Sequence, residues 1–443
     1  MQGRSLANAS EEATPSPDCA LPGEKREGSN VTDGTLPTKN KIMWSSNAPW
    51  CATGYGNQTN LFIYRLKDLG YDMACTAFYG LEGRILTMND VRFYPKGRHP
   101  YGLDIIGAHA QQFGANVLIT LIDAWVLDPR AFPSAINWIP WFPVDMEPLP
   151  PPVRDKVKLA YKRIVFSRFG ERMVKDAGLD CYYVPHGVDT KLFYPMPMKD
   201  CREALKWPTD KFIVGMVAAN KGVPSRKAFC PQIEAFSQLH KKHPDSMLYL
   251  HTDNGVGKQE CVNLPEFVTS LGLKAGILGQ ANPAEVDVLF AEGYQYLIGY
   301  PDEFMRQAYS SFDVLLSVSM GEGFGIPILE AQACGCPVIV GDWTSMSELC
   351  FSGWKIDKSE ADPWWTPLAA YQWQPRIGAV LDRLDRAYIG KGREKFRIQA
   401  TQGALAYDAD LVTADYWKPV LFDIFQELNK PDVMPEMQLV KFG

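Results

Sequence analysis

Three features of the 443-residue sequence predict an α/β protein with two doubly wound parallel sheets facing each other across a cleft. Short apolar runs alternate with segments of helical period, first from Lys41 to Val184 and again from Phe212 to Val340. Pro195, Pro197 and Pro208 interrupt the pattern between the two series. The length suits more than one domain. Open α/β sheets bind ligands beyond the carboxyl ends of their strands, so the cleft should hold the chemistry.

Residues 1–39 are rich in Ser, Thr, Glu, Gly and Pro and lack a periodic apolar pattern. A disordered tail is expected there, because such a segment cannot bury enough surface to offset its ordering entropy. A first domain is expected over residues 40–200. It opens with the apolar run at Lys41 and a loop over residues 47–56, followed by a helix over 59–69 with Leu61, Phe62, Leu66 and Leu69 on one face. Further strands are expected at 117–122, 163–166 and 181–184. A second domain is expected over 201–400, with strands at 212–217, 247–250, 314–318 and 337–340 and a helix through Ile233, Phe236 and Leu239. Residues 401–443 should form closing helices.

A formal net charge of −6 argues against a bulk electrostatic nucleic-acid binder, leaving only a local basic face to consider. The ten cysteines are scattered, and no His/Cys cluster has metal-ligand spacing, so a reducing compartment and no metal site are expected. No apolar stretch has signal-peptide or membrane-spanning length, and a soluble cytoplasmic protein is expected.

The most informative stretch is Gly321-Glu322-Gly323-Phe324-Gly325-Ile326-Pro327-Ile328-Leu329-Glu330, after the strand expected at 314–318. Its glycines let backbone approach a ligand without Cβ interference. Pro327 suits the first turn of a helix and Gly335 its end. Amides near Gly325 and Ile326 would then point into the cleft from a helix N-terminus, an anion site fit for a diphosphate. Glu330, expected on the first turn, would repel phosphates and better suits neutral ribose hydroxyls. Glu322 suits a sugar hydroxyl, or positive charge developing at an anomeric carbon. Dipole complementation by Glu330 and turn-capping by Glu322 are the plainer alternatives.

The run E-G-F-G-I-P-I-L-E, then Ala-Gln-Ala-Cys-Gly-Cys-Pro-Val-Ile, closely resembles the nucleotide-sugar loop of the GT4 family of retaining glycosyltransferases. The resemblance implies a GT-B fold, with acceptor recognition in the first domain and donor recognition in the second. It implies transfer of a hexose from a nucleotide-diphosphate sugar, a UDP- or GDP-sugar first, to a hydroxyl acceptor, with no cofactor beyond the donor. It also implies that Glu330 binds the donor ribose and Glu322 the donor sugar, with Gly323, Phe324, Gly325 and Ile326 lining sugar and phosphate. Glu348 resembles the acidic residue after the family's next strand.

Lys227, ahead of Ile233-Glu234-Ala235-Phe236, resembles the family's phosphate-binding lysine. The arginine usual a few residues earlier is replaced by Lys221, which lacks the bidentate fork, or by Arg226; solvated loop charges are the alternative. Residues 184–190 resemble the segment that closes the first domain, where His186 is structural. Residues 51–56, with Gly54 and Gly56, resemble the family's Gly-rich loop near the donor phosphates, and read equally as an ordinary turn. Residues 296–300 resemble the strand end near the nucleotide base, with Tyr300 on the base or in the core. Residues 407–425 resemble the helices that cross back onto the first domain.

One departure stands out. Many family members carry a histidine where this chain has Ile122; Asp123 follows and is the candidate to take over a sugar-hydroxyl contact, while His109 reads as structural. Asp408-Ala409-Asp410 has the D-x-D form of metal-dependent transferases but falls in an expected helical segment. Residues 254–258 lack the first Gly and the Ser/Thr of a P-loop. A metal-independent reaction is therefore expected.

On the acceptor side, Trp138, Trp141 and Phe142 lie among prolines near Asp145, which suits a sugar or a Pro-rich wrap over the core. Arg154, Lys156, Lys158, Lys162, Arg163, Arg168, Arg172 and Lys175 suit a membrane surface, a nucleic acid or an anionic glycan, or a solvated helix face. The acceptor is expected to be a glycan, a lipid-linked sugar or a small molecule. Transfer to a modified nucleic-acid base, and nucleotide-sugar epimerisation on the GT-B fold, are the competing functions; a catalytically silent binder is a third.

Overall fold

A computed structural model describes residues 40–430, so the tail expected over 1–39 lies outside the described residues. The first apolar series forms β1 (Lys41–Asn47), β2 (Asp72–Tyr79), β3 (Leu86–Met88), β4 (Val91–Tyr94), β5 (Val117–Leu121), β6 (Asn137–Phe142), β7 (Ile164–Val165) and β8 (Tyr182–Tyr183). Their order is β3-β4-β2-β1-β5-β6-β7-β8, parallel except for the β3–β4 pair. The second series forms β9 (Phe212–Val217), β10 (Ser246–His251), β11 (Ala275–Ile277), β12 (Val288–Phe290), β13 (Val314–Ser317), β14 (Val338–Gly341) and β15 (Gly353–Ile356). These run all-parallel in the order β11-β12-β10-β9-β13-β14-β15. Strands such as β5 and β14 are buried along their whole length, as parallel strands covered on both faces must be. The GT-B pair of doubly wound sheets expected from the sequence is the architecture found.

In each sheet the strand order reverses, between β1 and β5 and between β9 and β13. Loops leaving the carboxyl ends of those four strands are the topological switch points, where such folds place ligands.

Several local expectations change. The first helix spans Gly54–Asp68, not 59–69, because Thr53 caps it: its hydroxyl accepts the Gly56 amide at 3.0 Å. Gly54 and Gly56 therefore open a helix instead of lying in a loop. Trp138, Trp141 and Phe142 belong to β6 and are buried, so they are core and not a ligand platform. Trp141 and Trp44 meet Trp417 at 4.9 and 5.8 Å, which seats the closing helices in the first domain's core. Residues 296–300 are no strand end: Tyr296 lies in the short helix Gly293–Ile298, after β12.

The basic stretch is not one helix face. Helices Pro151–Val157 and Arg168–Asp176 flank β7, and most of its charges are engaged within the chain. Arg163 donates to the Asp180 carbonyl at 2.6 Å, Lys162 pairs with Glu427 at 2.7 Å, and Arg168 and Lys175 both hold Glu171. Asp408 and Asp410 are engaged as well, with Thr190 and with Arg65 and Lys191. Among the described residues no helix is long and apolar enough to cross a membrane.

Candidate active site

The loops at the two switch points face each other. From the second sheet, the segment after β9 carries Arg226 and Lys227, and the loop after β13 carries Ser319 and Glu322. Glu322 is 6% exposed. Lys227 Nζ donates to its Oε1 in a short ion pair, Ser319 Oγ donates to the same oxygen at 2.6 Å, and Arg226 stands 3.4 Å from Oε2. The Glu322 amide donates to Thr344 Oγ1 at 3.1 Å, and Ser345 Oγ donates to the Glu322 and Phe324 carbonyls at 2.7 Å each. Thr344 is held at φ +54°, a costly backbone for a β-branched residue, and this backbone strain sits beside the candidate active site. Burial pushes the Glu322 carboxyl up, but the Lys227 and Arg226 charges outweigh it and hold it at about 2. Burial pulls Lys227 below the usual lysine range, with Glu322 opposing.

The first domain supplies Tyr55, Asp123 and Asp145. Asp123 follows β5, and burial, then the Asp145 charge, push its carboxyl up to about 6, while Arg226 and the neighbouring Tyr55 hydroxyl oppose that rise. Asp145 Oδ2 lies 3.6 Å from Arg226, and burial raises its carboxyl while Arg226 opposes. The Arg226 guanidinium is thus shared between carboxylates of both domains.

Glycines set how closely the domains meet. A Cβ on Gly321 would lie 2.1 Å from the Asp145 carbonyl oxygen, and one on Gly323 would lie 2.4 Å from Pro143 Cβ. Gly54 approaches Ile326, where a Cβ would meet Cδ1 at 3.2 Å. Glu348 ties the same interface, accepting the Arg168 and Phe169 amides at 2.8 and 3.2 Å at a helix N-terminus.

The helix after this loop spans Ile326–Ala333, with Gly325 at φ +109° before it and Pro327 in its first turn. The Gly325 and Ile326 amides donate to no acceptor among the described residues. Glu330 sits a full turn in, not on the first turn as expected, because the helix starts at Ile326. It accepts the Tyr309 hydroxyl at 2.8 Å, and burial raises its carboxyl to about 7.

Other candidates stand apart. Lys221 is exposed and makes no ion pair among the described residues, so Arg226 is the cation that joins Lys227. The Tyr300 hydroxyl accepts the Glu292 amide at 2.8 Å, and its ring packs on Phe304 and His251 within the second domain. Ile122 is buried, His109 Nε2 donates to the Pro95 carbonyl at 3.0 Å, and His186 stacks on Phe166 at 4.1 Å, all structural. Tyr55 and Ser319 are not singled out by the sequence, although Tyr55 lies inside the 51–56 motif and Ser319 stands three residues before Glu322.

Two cations and free helix amides can receive negative charge here, while the carboxylates can hold hydroxyl groups.

Residues 213–362 match the family described as Glycosyl transferases group 1, and this segment holds Arg226, Lys227, Glu322 and Glu330. O-antigen chain mannosyltransferase B of Escherichia coli is 42% identical over 59 residues, 13% of this chain and 16% of that protein. The D-inositol 3-phosphate glycosyltransferase of Saccharomonospora viridis is 26% identical over 233 residues, 50% of this chain and 48% of that protein. The chain therefore spans less than half the length of the curated relatives it matches. Among solved structures, a glycosyltransferase from Rickettsia africae superposes with a TM-score of 0.62 at 16% identity, covering 89% of this chain and all of that one. Anabaena HepE, in complex with UDP and glucose, gives 0.57 at 15% identity over 86% of this chain and 99% of its own. These likenesses concern the fold.

Proposed function

We propose that the chain, whose residues 213–362 match the group 1 glycosyltransferases, transfers a hexosyl group from a nucleotide-diphosphate sugar to a hydroxyl acceptor, with retention and without a metal ion. The observation that carries this is the meeting of Lys227 and Arg226 with Glu322 of the second domain and Asp145 of the first, beside Asp123, with the unbonded Gly325–Ile326 amides at the end of the loop that carries Glu322. The donor diphosphate lies against those cations and amides, its ribose toward Glu330 and its sugar toward Glu322. HepE binds UDP and glucose, which makes a UDP-sugar the first donor to test.

In the reaction, the bond between the anomeric carbon and the diphosphate oxygen breaks, and the electron pair leaves with the nucleotide. The acceptor oxygen bonds to the anomeric carbon on the same face, and its proton passes to the departing phosphate oxygen. Lys227 turns from Glu322 to the phosphate or bridges both. Preorganised cations and aligned amides in a closed cleft stabilise the charge that develops on the leaving group. Asp123, oriented by Tyr55, accepts a hydrogen bond from the acceptor hydroxyl.

A thermal-shift panel of UDP-, GDP-, ADP- and dTDP-sugars tests the donor, since saturating ligand at a hundred times Kd stabilises the fold by about 2.7 kcal/mol. NMR of the product then reads the anomeric configuration. An inverted product, no stabilisation by any donor, or an epimeric sugar released without acceptor would each count against the proposal.

A further inference from the structure

Beyond the second sheet the chain forms a hairpin, β16 (Ala361–Trp365) and β17 (Tyr371–Pro375), that belongs to neither main sheet. It is fastened across the cleft. Tyr371 and Glu147 of the first domain exchange both backbone hydrogen bonds, at 2.7 and 3.1 Å, and Lys358 pairs with Glu147 at 2.7 Å. The Trp373 amide donates to the Met320 carbonyl at 2.9 Å, two residues before Glu322.

The register sets Trp364 directly opposite Gln372, so the two share one face of the hairpin. Gln372 is 4% exposed; its amide stands 3.5 Å from Asp145 Oδ2 and would lie 3.3 Å from a Cβ on Gly321. That face therefore begins at the reaction centre. Trp364 remains 42% exposed on it. The next pair along, Asp362 opposite Gln374, adds a carboxylate and an amide to the same face, with Asp362 held by Arg376 at 2.7 Å. Trp373, on the other face, is buried under Lys358 at 3.8 Å, so the hairpin has an anchor that does not involve Trp364.

We infer that the Trp364 face is an acceptor subsite that stacks a sugar ring, so that the acceptor is a glycan of two or more residues; this rests on the transferase function proposed above. A pyranose presents an apolar C–H face and a rim of hydroxyls. One indole beside a carboxylate and an amide complements both. A single indole with polar neighbours is a poor match for a protein or lipid partner, which needs a contiguous apolar patch. With one sugar at Asp123 and Asp145, the next ring of the acceptor meets Trp364.

The test measures binding of malto-, manno-, xylo- and chito-oligosaccharides to the full chain saturated with UDP or GDP, by calorimetry and tryptophan fluorescence. At least one series should bind the parent protein. Trp364→Ala should weaken it about tenfold or more, Trp364→Phe should restore most of the affinity, and Trp365→Ala, on the opposite face, should stay within about twofold. UDP and GDP affinities should not change in any variant. No oligosaccharide binding by a parent protein that binds nucleotide, or full binding by Trp364→Ala, would overturn the subsite and leave the transferase function standing. A parent protein that binds none of UDP, GDP, ADP and dTDP would overturn the transferase function and the subsite with it.

Discussion

Gly321→Ala should open the cleft and slow turnover while sparing nucleotide binding. The added Cβ would sit 2.1 Å from the Asp145 carbonyl oxygen, whereas real Cβ atoms essentially never come within 3.0 Å, so the walls must part by at least about 0.9 Å. The obstacle is backbone, which no rotamer change removes. Gly321 is not among the residues in the left-handed region, so alanine adds no dihedral strain. The Arg226–Asp145 approach at 3.6 Å is the first interdomain contact to suffer. A displacement of about 1 Å at a reacting centre costs on the order of a hundredfold in rate, or about 2.7 kcal/mol of barrier. Lys227, Glu322, Glu330 and the Ile326–Ala333 helix all lie in the second domain, so UDP affinity should stay within about threefold. Steady-state donor consumption and calorimetry with UDP separate the two quantities. Unchanged turnover, or a loss of UDP affinity as large as the loss of rate, would refute the glycine's role in domain apposition.

Three further outcomes can be checked in the same way. Glu322→Gln leaves Lys227 without its ionic partner and should lower both turnover, by about two decades, and stability, by about 3 kcal/mol in urea unfolding; an unchanged midpoint would contradict the buried pair's importance. Asp123, raised to about 6, is needed ionised, so kcat/KM should fall as pH drops through 6, and Asp123→Asn should be slow and lack that limb. Glu330 has a folded pKa raised from 4.5 to about 7, so stability is fully present below 4.5 and is lost as pH rises through 7. Glu330→Gln should therefore melt higher than the parent at pH 8 and lose that advantage near pH 4, while binding UDP about tenfold more weakly; a pH-independent difference in Tm would rule out the titration.

The repeating element pattern was legible because buried parallel strands read as short apolar runs: β9 spans the predicted 212–217, and β5, β10, β13 and β14 fall within a residue of expectation at each end. The loop after β13 was legible as a strand-to-helix turn because glycines and Pro327 stand within ten residues. Local capping was harder to read. Thr53 extends the first helix back over Gly54, and the helix start at Ile326 moves Glu330 into a second turn. The aromatic run at Trp138 was ambiguous, since a half-polar surface and a buried strand can share the same residues. Pairs such as Tyr55 with Asp123, and Gln372 with Asp145, join segments far apart in sequence, and only domain closure brings them together.

The central claim is that Lys227, Arg226 and the Gly325–Ile326 amides carry the negative charge of the departing nucleotide diphosphate. Donor consumption measured with and without EDTA, on the parent protein and on Lys227→Ala, tests it most directly. Activity should persist in EDTA, and Lys227→Ala should lose about two to three decades of turnover together with affinity for the nucleotide diphosphate. Activity abolished by EDTA and restored by Mn²⁺, or a fully active Lys227→Ala protein, would contradict it.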